Sequence, residues 1–311
     1  MTLPPDYLQY LHRRPGLDHE RYHHSKLFDR RPVDWPGGAR VALWIVPILE
    51  WFPLDMGTKP FVPPGGMERP FPDYWNFTLR DYGNRVGAYR VFRALDARGL
   101  KATVGMSSRL VGRAPPLLEA AKKRGWEVMA HGVDMAHLHH GSLPESDEQA
   151  LVREAFDTLR RESGQPVTGW SSPASSQSWL TPDIVAEHGG HYVADWNNDD
   201  LPYAMKTRSG RALHAMPVTH EMSDLQIFQT YRQRPSQYTE QIVDHFRFLY
   251  REAERHGGRM VTLSLRPWLS GVPHRIGALE EALDRILAHA GVWNATGAEI
   301  LAAWREQQPP T

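Results

Sequence analysis

Apolar residues fall along this chain in two alternating rhythms. Unbroken runs such as Val41-Ala-Leu-Trp-Ile-Val46 predict strands buried on both faces, and three- and four-residue spacings between them predict helices. After that first strand the pattern predicts a helix over 84–98, with Ala88, Phe92 and Leu95 on one face and Gly99 as its stop. A strand over 102–106, a helix over 115–124 and a strand over 126–130 follow, the last ending directly at His131. Ser146 and Gln149 have the spacing of a capping box for a helix that runs to Gly164. A strand over 167–170 leads to a helix opened by Thr181-Pro182 and stopped by Gly189. The next strand, over 191–194, ends at Asp195. The third quarter is less regular, with an extended piece over 213–217 and a long helix over 236–256. The remaining pattern is a strand over 260–265, a helix over 278–289, a strand over 292–295 and a Thr296/Glu299 capping box.

Strand and helix alternate without a compositional break, which implies one α/β barrel-like domain over 40–311. Residues 1–39, rich in Pro, Arg and His, read as an irregular arm that packs on the body or on a neighbouring subunit. Residues 51–80 hold six prolines and seven aromatics and read as a long loop, usually a functional lid.

Composition narrows the function. The 36 basic and 36 acidic side chains balance and form no block of one sign, so no field draws in nucleic acid or an anionic membrane. Without cysteine there is no thiol catalysis and no thiolate metal site. The segment MTLPPDYLQYLHRRPGL has no apolar core, and no run of about 18 apolar residues occurs, so a cytoplasmic protein is expected. The partner expected is a small-molecule substrate. The arm and the tryptophans outside strands suggest a homo-oligomer.

Four polar residues stand at predicted strand ends: Glu50, His131, Asp195 and Arg266. Each has a structural alternative, such as a helix cap, a bonded core histidine or an ion pair. Their convergence at one barrel rim is the expected form of an active site. Gly132 is read as room for a ligand beside His131.

The stretches Arg80-Asp-Tyr-Gly-Asn-Arg-Val-Gly87, Gly125-Trp-Glu-Val-Met-Ala-His-Gly132, Asp195-Trp-Asn-Asn-Asp-Asp-Leu-Pro-Tyr203 and Leu265-Arg-Pro-Trp-Leu-Ser-Gly-Val-Pro-His-Arg275 resemble the polysaccharide deacetylase (NodB-homology) superfamily, and within it the allantoinase-like branch. The resemblance implies a distorted (β/α)7 barrel and hydrolysis of a carbon–nitrogen bond. Metal-dependent members carry two adjacent carboxylates after the first strand, two histidines four residues apart and a late Leu-His-Pro. Here Glu50 matches the base, but Trp51 stands at the ligand position. His131 is kept while Met135 takes the second place, and the late motif reads Leu265-Arg266-Pro267. An indole and a thioether cannot replace a carboxylate and an imidazole around a divalent ion, and a fixed cation repels one. No metal and no other cofactor is therefore expected. A rival metal site is the loop of His137, His139 and His140, which is more simply a solvated loop.

Amide hydrolysis without metal needs an activated water, an oxyanion partner and a proton for the leaving nitrogen. Glu50, partly desolvated beside Trp51, is the expected base; His131 donates the proton or orients the water; Arg266 holds the oxyanion or a substrate carbonyl. Substrate contacts are expected from Trp51, Trp75, Tyr82, Arg85, Pro173, Ser175, Asp195, Asn198, Asp199 and Trp268, although for Arg85 a buried pair with Asp81 at a helix start is the favoured reading. Trp75, Trp196 and Trp268 as pocket walls suggest a flat or ring-shaped ligand. The leading expectation is a hydrolase of a small cyclic amide such as a ureide, imide or hydantoin. Deacetylation of an N-acetyl sugar or small N-acyl compound is the alternative, and an inactive binding protein on the same barrel is the third.

Overall fold

A parallel sheet grows outward from the most apolar strand of the chain, β1 (Val41–Leu49), every residue of which is buried. The computed structural model describes residues 19–56 and 71–308. Along the chain follow β2 (Thr103–Met106), β3 (Glu127–Ala130), β4 (Gly169–Trp170), β5 (Tyr192–Val193), β6 (Tyr203–Met205), β7 (Leu213–Ala215), β8 (Arg259–Leu265) and β9 (Val292–Asn294). Their spatial order is β6-β7-β5-β4-β3-β2-β1-β8, with β9 also on β1. All pairings are parallel except β6 with β7. The sheet curls into a half-barrel with helices outside, in keeping with the barrel-like domain expected from the alternation and the distorted (β/α)7 barrel implied by the resemblance. Among the described residues no ladder joins β8 to β6 or β7, so the curl stays open on that side.

Burial on both faces explains why β1 carries no polar side chain: Leu43, Trp44 and Ile45 are fully enclosed, and each such side chain contributes about 1.5–3 kcal/mol by leaving water. The register then decides the chemistry. Pro47 lies opposite Leu265, Leu49 opposite Met106, and Met106 opposite Ala130. Parallel strands end on one edge, so Glu50, Ser107, His131, Ser171 and Arg266 emerge side by side.

The helix expected from residue 84 begins ten residues earlier. Asp73 caps Tyr74–Tyr82 by accepting from the Asn76 amide, and the chain passes through a π turn, Gly83–Gly87, into Ala88–Asp96. The aromatic density that suggested a loop over 51–80 belongs in part to this helix, whose Trp75 is exposed. The π turn lies against the backbone after β8. A Cβ on Gly87 would stand 2.1 Å from the Pro267 carbonyl oxygen, and one on Gly83 would stand 2.7 Å from the Trp268 nitrogen. Gly87→Ala therefore forces two backbones apart, and we expect a loss of about 1–3 kcal/mol, read as a lower urea midpoint at unchanged slope.

Two cap expectations differ from the structure. Helix Glu145–Ser163 starts after Pro144 with no side-chain cap, and Gln149 instead donates to Glu145. Thr181 is not a cap; its hydroxyl donates to Glu148 across the helix pair. The Thr296/Glu299 capping box forms in both directions. The described part of the arm packs on the body: Trp35 is buried and its Nε1 donates to the Arg259 carbonyl, and Arg21 forms a bidentate pair with Asp183. No helix among the described residues is long and apolar enough to cross a membrane.

Candidate functional site

Glu50, His131 and Arg266 converge at the carboxyl edge of the sheet. The Glu50 Oε1 atom lies 3.9 Å from His131 Nε2 and 3.7 Å from Arg266 Nε. The other oxygen, Oε2, accepts from Trp268 Nε1 at 3.1 Å, and the Glu50 carbonyl accepts from Asn84 Nδ2 at 3.0 Å. The carboxylate is thus held at its main chain and at one oxygen, leaving the second oxygen aimed at the imidazole and the guanidinium. All three residues are less than a tenth exposed.

The state of His131 follows from its neighbour. Its Nδ1 is 3.1 Å from the Ser171 carbonyl, which can only accept, so Nδ1 carries the proton and Nε2 presents a lone pair. Burial, reinforced by the Arg266 charge, lowers its pKa to about 3. The ring is therefore neutral near neutrality: an acceptor at Nε2, not the proton donor that the sequence reading allowed as one option. Neither His131 Nε2 nor Arg266 Nε has a hydrogen-bond partner among the described residues.

Arg266 is fixed from behind. Its Nη1 donates to Ser264 Oγ at 2.9 Å, and its backbone amide donates to Asp224 Oδ2 at 2.7 Å. Asp224, fully buried, also accepts from the Ser270 hydroxyl. Burial pushes its carboxyl up to about 6, with Arg266 opposing the rise. Asp224 lies in the irregular third quarter, where no periodicity marked it.

The helix and π turn over 74–96 supply three residues whose part in the site the sequence left unmarked. Asn76, Arg80 and Asn84 repeat every four residues on one face and are buried. Arg80 lies between the Phe52 ring at 4.5 Å and the Trp268 ring at 5.2 Å, and donates to Asn76 Oδ1. Burial lowers its pKa, while Glu50 and Asp73 pull it back up. Arg85 falls on the opposite face and is exposed, so it is neither a substrate contact in the site nor half of a buried pair with Asp81. The Tyr82 hydroxyl accepts from Arg90, which also binds the Gly271 carbonyl, so this ring serves the helix packing.

Other expected contacts divide in the same way. Asp195 is spent on protein: it accepts from the Ser172 amide and hydroxyl at 2.8 Å, from Gln177 at 2.8 Å and from Ser171 at 3.3 Å. It shapes the loop that presents the Ser171 carbonyl to His131, and burial raises its pKa. Asn198 binds Tyr22 and Tyr203, and Asp199 binds Arg30, so both pin the arm. The room expected at Gly132 is taken by Pro173: φ is +60°, and a Cβ would stand 2.4 Å from the Pro173 ring. Trp51 turns its indole toward Phe77 and Arg113. Ser175 is exposed, with its hydroxyl uncommitted at the rim.

These residues do not fit a divalent metal. The indole at the expected ligand position points to Phe77, Met135 offers a buried thioether, and the Arg266 cation stands 3.7 Å from the carboxylate. Among the described residues no three His, Asp or Glu side chains gather as a ligand set. The histidine loop is committed elsewhere: His137 pairs with Asp134, His139 with buried Glu148, and His140 with Ser142.

Residues 77–193 match the family model for polysaccharide deacetylase, so the resemblance read from the motifs holds. A putative polysaccharide deacetylase of Schizosaccharomyces pombe is 24% identical over 321 residues, covering 90% of this chain and 95% of that protein. Among solved structures, Puue allantoinase superposes with a TM-score of 0.82 at 24% identity, over 93% of this chain and 100% of that one. A probable polysaccharide deacetylase from Pseudomonas aeruginosa PAO1 gives 0.81 at 24% identity, over 93% and 100%. The superpositions bear out the fold class. The matched domain indicates a hydrolase acting on carbon–nitrogen bonds.

Proposed function

We propose that this chain, which carries a polysaccharide deacetylase domain over residues 77–193, removes the acyl group from a small N-acyl compound, and does so without a metal held by the protein. One observation carries the reading: Glu50 Oε1 lies within 3.9 Å of both His131 Nε2 and Arg266 Nε, two buried atoms without a hydrogen-bond partner among the described residues. A carboxylate oxygen and an imidazole lone pair both accept, and a guanidinium N–H donates. One water satisfies all three, giving its two protons to Glu50 and His131 and accepting from Arg266. Its second lone pair is left to attack.

In the reaction the water oxygen bonds to the amide carbon while Glu50 takes its proton. Negative charge on the former carbonyl oxygen is met by the guanidinium face of Arg266. The proton on Glu50 then passes to the nitrogen as the C–N bond breaks, releasing an amine and a carboxylic acid. His131 orients the water. The indole of Trp268 keeps Glu50 in place through Oε2.

Acyl removal is placed ahead of the ring opening expected first, because the matched domain and the fission yeast relative both carry the deacetylase description. Opening of a cyclic amide is the second reading. It uses the same steps and is supported by the fold likeness to Puue allantoinase. The test is a panel of N-acetyl sugars, simple N-acyl amines, hydantoins and imides, followed by acetate release and base uptake. Acetate release supports the proposal. Base uptake with hydantoins or imides alone replaces it with the second reading, and binding without turnover of any compound makes the chain a binding protein. Dialysis against excess chelator is expected to leave the rate unchanged; loss of activity, restored by a divalent ion, overturns the metal-independent mechanism.

A further inference from the structure

Two side chains that hold the Glu50 carboxylate come from a single turn. Arg266 directly follows β8, and Trp268 lies in the short helix Pro267–Ser270. The Arg266 guanidinium stands at Glu50 Oε1, and the Trp268 indole donates to Oε2. Any shift of the turn therefore moves both contacts together. A helix this short cannot hold itself in place. Its internal bonds run only from the Leu269 and Ser270 amides to the Arg266 carbonyl.

The turn is gripped from outside itself by two elements. The glycines of the π turn Gly83–Gly87 let its backbone press on Pro267 and Trp268. Asp224 supplies the second grip. Its Oδ2 accepts from the Arg266 amide at 2.7 Å and also from the Ser270 hydroxyl, bridging the start and the end of the turn. Asp224 is anchored in its own right, just ahead of a second π turn, Gln226–Thr230. The Ser223 hydroxyl accepts from the Gln226 amide and donates to the His220 carbonyl. Phe228 stacks on Tyr238 at 4.9 Å, and the Arg275 guanidinium lies 4.5 Å from the Phe228 ring.

Burying a carboxylate costs more than burying a neutral amide. Asp224 is nonetheless fully buried, and its Oδ1 has no hydrogen-bond partner among the described residues. What the ionised group adds is strength, because bonds to a charged acceptor are about twice as strong as neutral ones. Here two donors converge on one oxygen.

We infer that Asp224 is a positioning residue for the reaction: its bridge from Arg266 to Ser270 sets the turn that presents a guanidinium and an indole to the two oxygens of Glu50. The inference rests on Glu50 being the base. Asp224 acts through Arg266 and Trp268.

Asp224→Ala removes both bonds. Its kcat is expected to fall about 100-fold with KM changed less than about threefold, the effect of a misplacement of about 1 Å. Asp224→Asn keeps a carbonyl oxygen for both donors, and its kcat is expected to recover to within about tenfold of wild type. Placement is read without substrate from the NMR signal of the Trp268 indole N–H, identified by its loss in Trp268→Phe. In Asp224→Ala this signal moves toward its position in Glu50→Ala, where the acceptor is gone; in Asp224→Asn it stays. A purely structural carboxylate would lower the urea midpoint but leave the indole signal and the kcat of folded protein unchanged, and that result overturns the inference. So does a fall in kcat with the indole unmoved, or a moved indole with kcat intact. If no compound of the panel is turned over, the deacylase reading fails separately and the indole signal alone decides the bridge. Movement in Asp224→Ala then supports it, and a fixed signal overturns it. Should Asp224→Ala not fold, Ser270→Ala removes one of the two bonds. A smaller indole displacement in the same direction supports the bridge, and none overturns it.

Discussion

Replacing Glu50 by glutamine lowers turnover about 10²- to 10⁴-fold while the protein stays folded. The substitution preserves shape. The Gln carbonyl can still accept from Trp268 Nε1, and the main-chain bond from Asn84 is untouched. What changes is the atom facing His131 and Arg266. An amide NH2 in place of Oε1 cannot take a proton from water, and it points a donor at the guanidinium donor of Arg266. Single-turnover rates on the substrate identified in the panel measure the loss, and a urea midpoint excludes misfolding as its cause. Activity within about tenfold of wild type would remove Glu50 from the role of base.

Arg266→Lys and Arg266→Met are both expected to cost about 100-fold or more in kcat. The two variants ask different questions. Methionine removes the charge; lysine keeps it but concentrates it in an ammonium that cannot span Ser264 and Glu50 together. Asp224 holds the residue through its backbone amide, so either replacement starts from the same main-chain position. If Arg266 served only as an ion-pair partner of Glu50, the variants would lose stability while the folded fraction kept its kcat. Near-normal turnover in both would show that the guanidinium does not meet the developing charge. A large fall in kcat with little change in KM is the signature of an interaction made in the transition state.

The departures from the metal-dependent pattern read as one change once the geometry is known. Trp51 and Met135 stand where the metal-dependent pattern has ligands, and Arg266 emerges on the same edge with its Nε 3.7 Å from Glu50. His131, kept in both patterns, is neutral here because burial and the Arg266 charge act together and the Ser171 carbonyl claims its one proton. In the proposed mechanism a ring in that state accepts a hydrogen bond from water and leaves the proton transfers to Glu50.

Much of this site was legible in the chain, for a local reason. Apolar runs mark strands buried on both faces, and parallel strands that share a sheet all end on one edge. A polar residue directly after such a run must therefore emerge at that edge, so Glu50, His131 and Arg266 could be found without knowing any contact. The alternation of strand and helix and the barrel-like class followed from the same periodicity. Partner choice is another matter, because it depends on residues far apart in the chain. Nothing local distinguishes Arg80 from Arg85. The four-residue face shared with Asn76 and Asn84, and the π turn pressed on Pro267 and Trp268, point the first inward and the second to solvent. Asp195, Asn198 and Asp199 looked like ligand groups because they crowd polar atoms into one loop. Only the fold shows those atoms taken by Ser172, Tyr22 and Arg30. The chain by itself determined which residues reach the reacting edge, since burial is written in sequence period. Tertiary structure decided which of them remain free to meet a substrate, since hydrogen-bond capacity is settled by whatever partner the fold brings near.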